Sequence, residues 1–383
     1  MKLEPFKMER MQSTYENLVD FNLSESGVRP LSARELLQDA ARLDGLLDQP
    51  LVYSQSNGTP ELRSAIAALY PGATVDQVMV TNGGSEANFI SIFRLVESGD
   101  DVVMVVPNYM QTWGLVRAFG GAVRECRLVE DAAAGRWRLD LDALERLASS
   151  RTRLIVICNP NNPTGARLTA SDLDRIAQIA DRHGSWILSD EIYRGAELDG
   201  QDTASIWGRS ERAIVTSGLS KAYGLPGLRI GWIVAPAAMT AALWSYHDYT
   251  TIAPGVLNDR LARAALAPAR RAQLIDRTRG ILRANLPVVE DWFRSNGPGF
   301  HWIRPEAGAL LYVRYDHPIN STTLVTRLRT EKSVLVVPGD HFDMDGYLRF
   351  GYGEPTSYLC AGLDRMRDLL AASTGATRAA SLA

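Results

Sequence analysis

Cysteine and histidine are scarce, with 3 and 5 among 383 residues. Cys126, Cys158 and Cys360 are odd in number and far apart, with no Cys-x-x-Cys. That excludes a disulfide framework and leads us to expect reduced thiols in a cytoplasmic protein. No His-x-x-x-His occurs, so no protein-built metal site is expected. Neither sign of charge dominates: 41 Lys and Arg against 44 Asp and Glu leave a net −3. Such a chain offers no electrostatic footprint for nucleic acid or an anionic membrane. No apolar run approaches the ~20 residues of a membrane span, and Met1 to Arg10 lacks the apolar core of a secretory signal. The expectation at this point is a soluble cytoplasmic enzyme, long enough for about two or three domains.

What is abundant is alternation. Short apolar runs at Val75 to Val80, Asp101 to Pro107, Ala122 to Leu128, Leu154 to Cys158, Trp186 to Ser189 and Arg212 to Ser217 read as strands. Between most of them lie helical patterns, such as Leu139 to Ala148 and Ser171 to His183. This predicts an α/β fold, with a mostly parallel central sheet flanked by helices. Beyond about Leu257 a single long helix is expected to run towards Phe293. After Ser295-Asn296-Gly297-Pro298-Gly299 come strands at Leu310 to Tyr315, Ser333 to Val337 and Tyr347 to Tyr352, forming a smaller α+β domain. The expected division is 1–44 as an arm and part of the small domain and 45–285 as the large domain. Residues 286–371 make the rest of the small domain, and 372–383 a disordered tail.

In open parallel sheets ligands gather beyond the C-terminal strand ends, and every suspicious motif falls at such an end. Gly83-Gly84-Ser85 opens a helix, where free N–H groups suit a phosphate, although as a tight turn it is ordinary. Asn159-Pro160-Asn161-Asn162-Pro163-Thr164-Gly165 is a rigid loop that fixes an asparagine side chain. Asp190 follows an apolar run; it either caps a helix or meets a cation such as a protonated pyridine nitrogen. Lys221 lies among small and hydroxylated residues, and Arg229 comes eight residues later. A lysine amine forms a Schiff base with a carbonyl, and an arginine fork clamps a phosphate. Pyridoxal 5′-phosphate carries both groups on one ring.

Asn-Pro-x-Asn-Pro-Thr-Gly, Asp-Glu-x-Tyr, Ser-Lys-x-x-Gly-Leu-Pro-Gly-Leu-Arg-x-Gly-Trp and Arg349 in Leu-Arg-Phe-Gly-Tyr-Gly resemble, in order and spacing, the class I/II aminotransferases of pyridoxal-phosphate fold type I. The resemblance spans about Tyr53 to Leu370. It implies that Lys221 is the Schiff-base lysine and proton shuttle, and that Asp190 partners the ring nitrogen. Asn162 and Tyr193 would bond the phenolic oxygen, and Tyr109 would stack on the ring. Gly84, Ser85 and Arg229 would hold the phosphate, joined by Tyr53 across a homodimer interface, and Arg349 would take the substrate's α-carboxylate. One position departs from the pattern: three residues before the lysine, relatives usually carry serine or threonine, and here it is Gly218. Either Ser217 or Ser220 compensates, or fewer side chains hold the phosphate.

A finer resemblance, through Glu25-Ser26-Gly27-Val28, the Lys221 stretch, Asp248-Tyr249-Thr250-Thr251 and Val336-Val337-Pro338-Gly339, is to the capreomycidine-synthase branch, with canavanine γ-lyase as a related activity. It implies elimination at the side chain of an arginine-type amino acid. Glu25 and Asp248 then become substrate-binding candidates, because a guanidinium wants carboxylates, and Gly27 beside Glu25 is a third candidate. The alternatives are a solvated Glu25, an Asp248 that caps its own loop, and a plain transaminase with a 2-oxo acid acceptor. A pyridoxal-fold sensor without catalysis is opposed by the intact Lys221.

Overall fold

The computed structural model describes residues 3–296 and 299–380. An eight-stranded sheet forms its centre. In spatial order the strands are Val78–Thr81, Gly231–Val234, Ala213–Gly218, Trp186–Asp190, Thr152–Cys158, Asp101–Val106, Ala122–Asp131 and Arg136–Leu139. Neighbours from Ala213–Gly218 to Ala122–Asp131 pair in parallel, while Gly231–Val234 is antiparallel to both of its neighbours. Parallel strands covered on both faces must be apolar throughout, and Asp101–Val106 is buried at every position. Successive side chains serve opposite layers: Val103, Val105, Ile155 and Ile157 pack on one side, Val102, Met104, Leu154 and Val156 on the other. The covering helices carry local signals. Ala170–His183 starts at a Thr169/Asp172 capping box and stops at left-handed Gly184.

A four-stranded antiparallel sheet, in the order Phe300–Trp302, Leu310–Tyr315, Tyr347–Gly351 and Val337–Pro338, forms the smaller part. The N-terminal segment joins it, with Phe21–Asn22 pairing in parallel with Val334–Leu335. The loop after Asn22 then lies against Tyr347–Gly351 and its continuation, Gly351 N–H donating to the Leu23 carbonyl at 2.7 Å. A Cβ on Gly351 would meet the Glu25 carbonyl at 1.7 Å, and one on Gly353 the Gly27 carbonyl at 2.0 Å. Those two glycines let the loop close over the strand that carries Arg349.

Several sequence expectations need correction. The long helix is two helices, Val256–Leu266 and Pro268–Ser295. Pro268 lacks an N–H and drives Ala267 to ψ 131, out of the helical region. The second of these helices runs unbroken through position 285. Residues 297 and 298 of the glycine-proline turn lie outside the described residues. The final helix is Thr356–Ala380, carried past Ala371 by alanine-rich sequence of high helix propensity; 381–383 are outside the described residues. The hairpin strand Arg136–Leu139 and the N-terminal helix Lys7–Tyr15 were not anticipated. Among the described residues no helix is long and apolar enough to cross a membrane.

Candidate active site

Lys221 follows the strand Ala213–Gly218 and lines a cavity of about 280 Å³ at the C-terminal ends of the parallel strands. Gly218 explains its own departure from the family pattern. A Cβ there would sit 2.8 Å from the Ile230 carbonyl oxygen and 3.1 Å from Gly231 Cα. Gly231 is equally confined, since its Cβ would strike the backbone of Gly83 and Gly84 at 2.3–2.6 Å. The pairing of these strands leaves no room for a serine at 218. Of the two compensating candidates, Ser217 donates to the Glu191 carbonyl at 3.1 Å, while Ser220 lines the cavity.

Asp190 ends the neighbouring strand and is 9% exposed. Its Oδ2 accepts from Asn88 Nδ2 at 2.8 Å and its Oδ1 from Ile192 N–H at 3.1 Å. Thr216 donates to Asn88 Oδ1 at 2.7 Å, which fixes the amide so that its nitrogen faces the acid. Asp190 has no ion-pair partner among the described residues, and burial pushes its carboxyl above the ordinary range despite the Asn88 bond. A buried acid with only neutral donors is prepared for a cation. Asn88 carried no role in the sequence reading; its signal was its place one turn beyond Gly84-Ser85, on the same helix face.

Gly83, at φ +93, caps the helix Gly84–Leu95. A Cβ on it would meet Arg229 Nη2 at 2.4 Å, so the glycine admits the guanidinium beside the helix N-terminus. Arg229 forms no ion pair among the described residues. Burial pushes Glu86 up, but bonds from His247, Asn82 N–H and Thr251 bring it down to about 2. This cluster pins the turn to the loop after Ala237–His247.

Arg349 is 1% exposed and donates to Asn162 Oδ1 at 2.8 Å and to the Ser24 carbonyl at 2.6 Å. Because arginine only donates, Asn162 must offer its oxygen there and keep its Nδ2 as a donor. Tyr193 donates to Ser26 Oγ at 2.8 Å, and Tyr109 to Glu9 Oε1 at 2.9 Å. Glu25 Oε1 lies 2.5 Å from Lys221 Nζ and also accepts from the N–H groups of Ser26 and Gly27. The Lys221 charge holds Glu25 down to about 2. On Lys221 itself burial pulls downwards, but Glu25 more than offsets it and raises the amine above its usual value.

The cavity brings together Gly84, Ser85, Tyr109, Asn162, Asp190, Tyr193, Ser220, Lys221, Arg229, Arg349 and Glu25. Gly27 packs beside Lys221, where a Cβ would lie 3.7 Å from its side chain. Tyr53 and Asp248 are exposed and outside the cavity, Tyr53 at 85%. Met8, Glu9, Gln12 and Glu16, from the unanticipated helix and its C-terminal cap, line the cavity instead. Their only signal was polar recurrence at 9, 12 and 16, the spacing of one helix face.

These residues fit pyridoxal phosphate. A lysine amine, a buried acid without a cation, and an arginine without an ion pair at a glycine-opened helix N-terminus are the groups that its aldehyde, ring nitrogen and phosphate require. Fold and site thus define a pyridoxal-phosphate enzyme of fold type I. Residues 22–364 match the family Aminotransferase class I and II, and the chain belongs to that family. It is 30% identical to aromatic-amino-acid aminotransferase 2 of Thermococcus litoralis over 85% of both chains. It is 31% identical to capreomycidine synthase of Streptomyces vinaceus over 89% of this chain and 87% of that one. Among solved structures, a PLP-dependent aminotransferase from Streptococcus suis superposes with TM-score 0.90 at 32% identity, covering 97% of this chain and 99% of the other. The PLP-dependent cyclase OrfR superposes with TM-score 0.87 at 27% identity, covering 97% and 98%. The chain is an enzyme of amino-acid metabolism, and its cofactor is pyridoxal 5′-phosphate.

Proposed function

We propose that this enzyme eliminates a side-chain substituent from an L-α-amino acid of the guanidino type, arginine- or canavanine-like. The observation that carries the reading is the Glu25 carboxylate 2.5 Å from Lys221 Nζ. Simple amino transfer needs one proton carrier at Cα, whereas elimination further along the side chain needs protons removed at Cα and then Cβ. A lysine in contact with a carboxylate that favours its protonated form can hold the proton it takes at one carbon and deliver it at another, which suits that double task. When bound, the cofactor supplies the electron sink that makes Cα–H acidic. Arg349 anchors the α-carboxylate, Tyr109 and Asn162 bound the reacting face, and Lys221 takes the Cα proton. Glu25, held by two backbone N–H groups, sets the charge on that amine. Similarity to a synthase and a cyclase, rather than to aminotransferases alone, supports side-chain chemistry.

The second reading is transamination, favoured by relatives named aminotransferases. Purified enzyme mixed with arginine, canavanine and their hydroxylated relatives, without any oxo acid, separates the two. Catalytic release of a side-chain fragment or ammonia is expected. Stoichiometric conversion to pyridoxamine phosphate followed by a stall would replace elimination with transamination.

The same reading includes a homodimer. Leu51, Val52, Tyr53, Tyr249 and Ile252 are 50–85% exposed, and Ser54 ties the two segments together by donating to the Pro254 carbonyl. A second copy covering this apolar strip would bring Tyr53 and Asp248 of each chain towards the other's cavity. The thiols of Cys126 and Cys158, buried and pushed up by burial, suit the reducing cytoplasm.

A further inference from the structure

We infer that Glu9 and Glu16, brought in by the N-terminal helix, form with Glu25 the subsite that receives the cationic end of the substrate side chain. This deepens the guanidino-substrate reading above and rests on it.

Charge balance in the cavity carries the inference. Its walls hold four carboxylates, Glu9, Glu16, Glu25 and Asp190, and three cations, Lys221, Arg229 and Arg349. With the cofactor in place, Arg229 would hold its phosphate and Asp190 its ring nitrogen. Lys221 must be uncharged to act as a base, which deprives Glu25 of its counter-ion. Arg349 is spoken for by the α-carboxylate: it lines the same cavity, and its buried Nε has no partner, so its charge is not used up by the protein. Glu9, Glu16 and Glu25 are then left facing one cavity without a cation.

Neither Glu9 nor Glu16 forms an ion pair among the described residues. Glu9 accepts one bond, from the Tyr109 hydroxyl. Burial first, then repulsion from Glu25 and Glu9, pushes the Glu16 carboxyl up. Three carboxylates that repel one another gain most from a delocalised cation with several donors, and a guanidinium has five. A ligand with a carboxylate for Arg349 and a guanidinium for this cluster is a basic amino acid. A dicarboxylic substrate would set its second carboxylate against the three, so this cavity is selective against aspartate-type substrates.

Calorimetric binding to the cofactor-loaded enzyme tests this with acids that lack the α-amino group and therefore cannot react. The probes are δ-guanidinovalerate, hexanoate and adipate. The guanidino acid is expected to bind roughly a hundredfold more tightly than hexanoate, with adipate weakest. Glu16→Gln and Glu9→Gln should each cut guanidino-acid binding about tenfold while leaving hexanoate within about twofold. Equal or tighter binding of adipate, or an unchanged preference in both variants with melting temperatures intact, would overturn the assignment. Guanidino binding that depends on Glu16 in an enzyme that only transaminates would remove elimination and leave the subsite standing. Elimination from neutral amino acids without guanidino preference would do the reverse.

Discussion

Replacing Asn88 by alanine tests whether Asp190 is held ready for a cationic ring. Asn88 Nδ2 donates to Asp190 Oδ2 at 2.8 Å, and after the burial that raises the acid it is the strongest influence pulling it back. A hydrogen bond to a charged group is worth about 2 kcal/mol. Its loss should raise the Asp190 carboxyl further and weaken cofactor binding, by up to roughly thirtyfold below the pKa of that carboxyl. The sign follows from the ionic form, since Asp190 would pair with the ring as an anion. Affinity therefore rises with pH through the pKa that Asp190 has in the cofactor-free protein, and the variant moves that rise to higher pH. Dissociation constants from absorbance titrations across about pH 5 to 9 measure both effects. Thr216→Val should give a smaller loss, because the amide stays in place but is free to turn. An Asn88→Ala protein that folds normally and binds cofactor with an unchanged constant and pH profile would refute the reasoning.

Two further perturbations probe the surroundings. Gly218→Thr puts a Cβ 2.8 Å from the Ile230 carbonyl. It should cost about 2 kcal/mol and lower the melting temperature by roughly 2–3 °C, with no gain in cofactor affinity; a stable variant that binds cofactor more tightly would contradict the close-approach account. In the cofactor-free protein, Lys221 holds Glu25 at about 2 against its ordinary 4.5, so the pair stabilises the fold above 4.5 and loses that effect as pH falls towards 2. The Glu25 side chain is 38% exposed, so after screening the effect is about 1–2 kcal/mol. Urea unfolding of wild type and Glu25→Gln should differ at neutral pH and converge in acid; a difference independent of pH would show that the pair is not its source.

How much of this could be read from the sequence differs from residue to residue. Lys221, Asp190, Asn162 and the Gly83-Gly84-Ser85 turn were legible because each follows an apolar run. A run buried on both faces announces a parallel strand, and parallel strands deliver their C-terminal ends to one edge. Arg349 was marked by motif, and the glycines after it turned out to admit the loop that carries Glu25. The helix Lys7–Tyr15 left little trace: it is short and polar, and it is buried at only Met8 and Gln12. Its carboxylates reach the cavity because pairing of Phe21–Asn22 with Val334–Leu335, in a two-stranded sheet of their own, draws the N-terminal segment against the smaller part of the fold. Glu25 reaches Lys221 across 196 positions. Local pattern determined the strands, the turns and the residues suited to the cofactor, because those depend on burial and backbone geometry within a few positions. The acids that meet in the cavity with Lys221 were decided by long-range closure of the chain, which no local periodicity encodes.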